Sequence, residues 1–77
     1  MLTENLELTV IVSTDNCSDG TCPTVYATSR GTRIIQGDTV ARCVIPGLPD
    51  HESGVEVPAE FYDKIGQVWA REHHLLP

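Results

Sequence analysis

The chain is poor in positive charge: five Lys and Arg stand against eleven Asp and Glu, a formal net charge of −6. Nonspecific binding of DNA or RNA depends on basic groups neutralising phosphates, so this balance argues against it. It argues equally against attachment to anionic lipid, and it suits solubility and a basic protein partner. Long apolar runs are missing too. Met1-Leu2-Thr3-Glu4-Asn5 has no cationic stretch, and Glu4, Glu7 and several threonines interrupt the apolar residues that follow. Neither a signal peptide nor a membrane span is read there, so the expected setting is cytoplasmic, where thiols stay reduced. The Asn16-Cys17-Ser18 sequon carries no weight without a secretory signal. Internal repeats, linkers, low-complexity tracts and a glycine-rich phosphate loop are all absent, which leaves one domain over residues 1–77.

At 77 residues such a domain buries only about 60% of the surface its unfolded chain exposes. A deep reaction cavity is hard to build at this size. Association with a copy of itself or with another protein is one way to bury more apolar surface.

What is present is mostly strand. Leu6, Leu8, Val10 and Val12 alternate with Glu7 and Thr9, and Ile11 breaks the polarity; period-two alternation of this kind predicts a strand from Leu6 to Thr14. Asp15-Asn16-Cys17-Ser18-Asp19-Gly20 is a run of turn-forming residues. Thr24–Thr28 reads as a second strand and Thr32–Gln36 as its return. Between them Ser29-Arg30-Gly31 forms a short connection with Gly31 in the left-handed position. Gly37-Asp38 marks another turn, and Thr39–Ile45 reads as a fourth strand completing a meander. Pro46-Gly47-Leu48-Pro49-Asp50 halts the sheet, and Val55-Glu56-Val57 is a last extended piece. Pro58 opens a helix, with Glu60 favourable in its first turn. Phe61, Ile65, Val68, Trp69 and Leu75 follow helical spacing, while Asp63, Lys64, Arg71 and Glu72 fall off that stripe. The expected architecture is α+β: a small antiparallel meander of four to five strands over residues 6–57, covered by one amphipathic helix over about 58–74. Phe61 and Trp69 are read as core, and the helix is expected to use up nearly all the apolar surface.

Three cysteines bear on chemistry. They are read as free thiols with Cys43 in the core. A Cys17–Cys22 disulfide is one alternative, and a zinc site of the three cysteines with His51, His73 or His74 is another, although a second cysteine pair at ligand spacing is missing. Asp15, Cys17, Asp19 and Gly20 imitate the start of a calcium loop, but its third position is a cysteine and its twelfth is Tyr26, so a solvated turn is the reading. No cysteine or serine stands in a motif with a histidine, and no catalytic residue, cofactor or metal is assigned. The Asp50 and Glu52 carboxylates read as solvated loop residues.

Arginine and tyrosine are enriched at binding hot spots. Tyr26, Arg30, Arg33, Gln36 and Arg42 lie on or near the expected meander and form the candidate partner-binding set, with Arg33 and Gln36 on opposite faces of a regular strand. A merely solvated polar face is the alternative reading. Lys64 and Arg71 are remote from this group in sequence.

The run Cys22-Pro23-Thr24-Val25-Tyr26-Ala27-Thr28-Ser29-Arg30-Gly31-Thr32-Arg33-Ile34-Ile35-Gln36-Gly37 resembles a block in small actinobacterial proteins of unknown function. In those proteins Cys-Pro and Thr-x-Arg-Gly-Thr lead into a Gln-Gly turn. Gly47-Leu48-Pro49 and Val55-Glu56-Val57-Pro58 resemble their second block, whereas Asp38 to Pro46 departs from the pattern. In size and layout the group is similar to the BldB-like developmental regulators. The resemblance implies an accessory role beside a helix-turn-helix transcription regulator, and it implies no catalytic or ligand residues. The expected function is therefore a non-enzymatic, self-associating protein-interaction module. Direct DNA binding through Arg30, Arg33 and Arg42, or a small cysteine-based zinc module, are the alternatives.

Overall fold

A computed structural model describes residues 5–14 and 22–75. The turn read over Asp15–Gly20, with Cys17, the glycosylation triplet and the start of the calcium-like loop, lies outside the described residues.

The fold is α+β. Strands β1 (Leu8–Ser13), β2 (Thr24–Thr28) and β3 (Arg33–Gln36) form an antiparallel sheet in the order β1-β2-β3. The short β4 (Asp38–Thr39) and β5 (Val55–Glu56) pair in a separate ribbon, and helix α1 (Ala59–Glu72) follows. The β2–β3 hairpin forms as the turn chemistry predicts: Gly31 has φ +79°, a conformation open to glycine at no steric cost.

The departure of Ile11 from strict alternation has a structural cause. Val10 pairs with Tyr26 and Val12 with Val25, so the register slips by one residue between them. This β-bulge swings Val12 onto the core face and leaves Val10 on the other. Val12, Val25 and Phe61 are buried together, and Ile11, Val57, Ile65 and Val68 pack around them. Leu8 and Val10, expected to share a face with Val12, are exposed instead.

The strand expected over Thr39–Ile45 does not continue beyond Thr39. Only Asp38 and Thr39 pair, with β5 and not with β3, so the meander stops at three strands. Arg42–Val44 is a 3₁₀ turn in which Val44 and Ile45 donate their amides to the carbonyls of Ala41 and Arg42. β-branched residues favour a pleated surface only where a neighbouring strand accepts their hydrogen bonds. With β5 two residues long, local turns satisfy these amides. Cys43 is consequently an exposed free thiol and not a core residue.

Gly37, the single residue between β3 and β4, serves close approach. A Cβ there would lie 2.6 Å from the Glu56 carbonyl oxygen and 2.8 Å from a Val57 methyl.

Helix α1 is capped by Pro58, whose carbonyl accepts from Phe61 and Tyr62. Its C-terminus closes with His74 at φ +58°, Leu75 donating to Ala70 and His74 to Arg71, the paired bonds of a Schellman end. Phe61 is 2% exposed. Trp69, by contrast, is 53% exposed, stacked on the His73 ring, and Leu75 is also exposed. The helix covers the sheet with one edge of its apolar arc and leaves the other open.

Candidate functional site

Of the five residues proposed for partner binding, the hairpin brings two together. Tyr26 Oη donates to Gln36 Oε1 at 3.1 Å. Gln36 Nε2 in turn donates to the Cys22 carbonyl at 2.8 Å, which also accepts from the Thr24 hydroxyl at 3.0 Å. Tyr26 pairs laterally with Val10 on one side and Ile34 on the other. Cross-strand partners share a face of the sheet, so Val10, Tyr26 and Ile34 form a row, polar at the Gln36 end and apolar across the middle.

Arg33 lies on the opposite face: it pairs with Ala27, two residues from the buried Val25. Its Nη1 donates to the Thr32 carbonyl. Arg30 sits in the hairpin turn, where its amide donates to Thr28 Oγ1.

Arg42 is not on the meander. Its guanidinium donates to the carbonyls of Glu52, Leu48 and Pro49 at 2.8, 2.8 and 3.0 Å, with Asp50 3.8 Å away. Five donors in a rigid fork suit such gathering of carbonyls. Arg42 fastens the Pro46–Glu52 loop, a structural task the sequence did not announce. The three arginines thus occupy a turn, one face of the sheet and a separate loop.

Cys22 is in a disulfide and Cys43 is a free thiol. This corrects the free-thiol reading of Cys22. A sulfur held in a disulfide offers no thiolate to zinc, so the cysteine-based zinc alternative loses a ligand. Among the described residues, no group of three or more Cys, His, Asp or Glu side chains could hold a metal ion. Nor, among them, is any helix long and apolar enough to cross a membrane.

One feature escaped the sequence reading. An open groove of about 580 Å³ lies between the β4–β5 ribbon and the start of α1, lined by Val40, Val44, Ile45, Val55, Val57, Ala59 and Tyr62, with Glu56 as its acidic side chain. Tyr62 is 72% exposed. The only signal for it was Tyr62 itself, an apolar ring just off the helical stripe. In comparison with known proteins, no family model matches the chain, and neither a curated protein nor a solved structure does.

Proposed function

We propose that this protein is a non-enzymatic protein-interaction module that works through its outer surface. The observation that carries this reading is the distribution of apolar side chains. Three are buried, while nine large ones are exposed among the described residues: Leu8, Val10, Ile34, Ile35, Val44, Val55, Tyr62, Trp69 and Leu75. Exposed apolar side chains scattered singly are ordinary, but contiguous sets mark association surfaces. Here the Val10–Tyr26–Ile34 row and the groove beside Tyr62 are such sets.

The partner we favour is a helix-turn-helix transcription regulator in the cytoplasm. The net charge of −6 suits a basic partner, and the resemblance of Cys22–Gly37 to small actinobacterial proteins supports the same role. Affinity capture with the tagged chain at low salt should retain a helix-turn-helix protein, and Val10→Asp should abolish that retention. If the chain retains neither another protein nor itself, the reading is wrong. Direct DNA binding would instead appear in a gel-shift series as an affinity that falls steeply with salt.

A further inference from the structure

We draw no further inference here: the strongest candidate, the open apolar groove between the β4–β5 ribbon and the start of α1 beside the exposed Tyr62, is an unpartnered surface, and nothing in the structure shows what covers it.

Discussion

The hydroxyls of Thr28 and Thr32 lie 2.6 Å apart across the base of the β2–β3 turn. Thr28 Oγ1 also accepts from the amides of Arg30 and Thr32, each at 3.2 Å. Two lone pairs are thereby filled, so Thr28 supplies the proton shared with Thr32. Thr28 is buried. Replacing it with the isosteric Val leaves two amides without their acceptor and should cost about 1–3 kcal/mol, with Thr28→Ser restoring much of the loss. Urea denaturation of the three proteins measures this, and a Val variant as stable as the parent would show the hydroxyl to be dispensable.

One substitution should have opposite signs at two glycines. At Gly37 a methyl group meets the Glu56 carbonyl, which is backbone and cannot swing aside. Gly37→Ala should separate the β4–β5 ribbon from β3 and lower the thermal midpoint. At Gly66 the methyl has open space, and Gly66→Ala should stabilise single chains in dilute solution by about 1 kcal/mol. Thermal melts at low concentration compare the two.

Phe61 is the largest fully buried side chain. Phe61→Ala should cost about 3–5 kcal/mol, as much as a single core of this size supplies, roughly 3–5 kcal/mol. The variant should be unfolded at room temperature. Near-ultraviolet circular dichroism retaining native intensity would contradict that.

Arg42 holds three carbonyls of the Pro46–Glu52 loop. Arg42→Ala should leave the sheet intact and free that loop, raising proteolytic cleavage between Leu48 and Glu52. Asp50→Asn should change little, because an exposed pair at 3.8 Å contributes only about 0–1 kcal/mol.

Alkylation without reductant should modify Cys43 and spare Cys22, and reduction should open Cys22 to the reagent. Peptide mass spectrometry reads both sites. Modification of Cys22 in the untreated protein would mean that its thiol is free. The same measurement on freshly lysed cells bears on the compartment, since a cytoplasm keeps thiols reduced.

Several elements were legible in the residues because they depend on near neighbours. The β2–β3 hairpin follows from a glycine able to take positive φ between two β-rich runs. Helix α1 follows from Pro58 and the Phe61, Ile65, Val68 spacing. The break of polarity at Ile11 was visible as well, although its meaning as a bulge was not. Where reading failed, a distant partner was decisive. Val40 to Ile45 has strand composition, yet among the described residues no strand pairs with it. Trp69 fits the helical stripe, but it stacks on His73 and stays 53% exposed, outside the cluster around Phe61. Of the proposed site, Tyr26 and Gln36 meet because the hairpin closes as expected; Arg42 leaves the group because the loop carbonyls claim it.

The order of strands and helix, the acidic surface and the hairpin turn follow from the sequence by itself, because backbone preference and charge are properties of the chain. The pairing of β4 with β5, the side of the bulge on which Val12 falls and the exposure of Trp69 were decided by tertiary structure. Each depends on which remote segment supplies hydrogen bonds or covers apolar surface, and no local pattern encodes that.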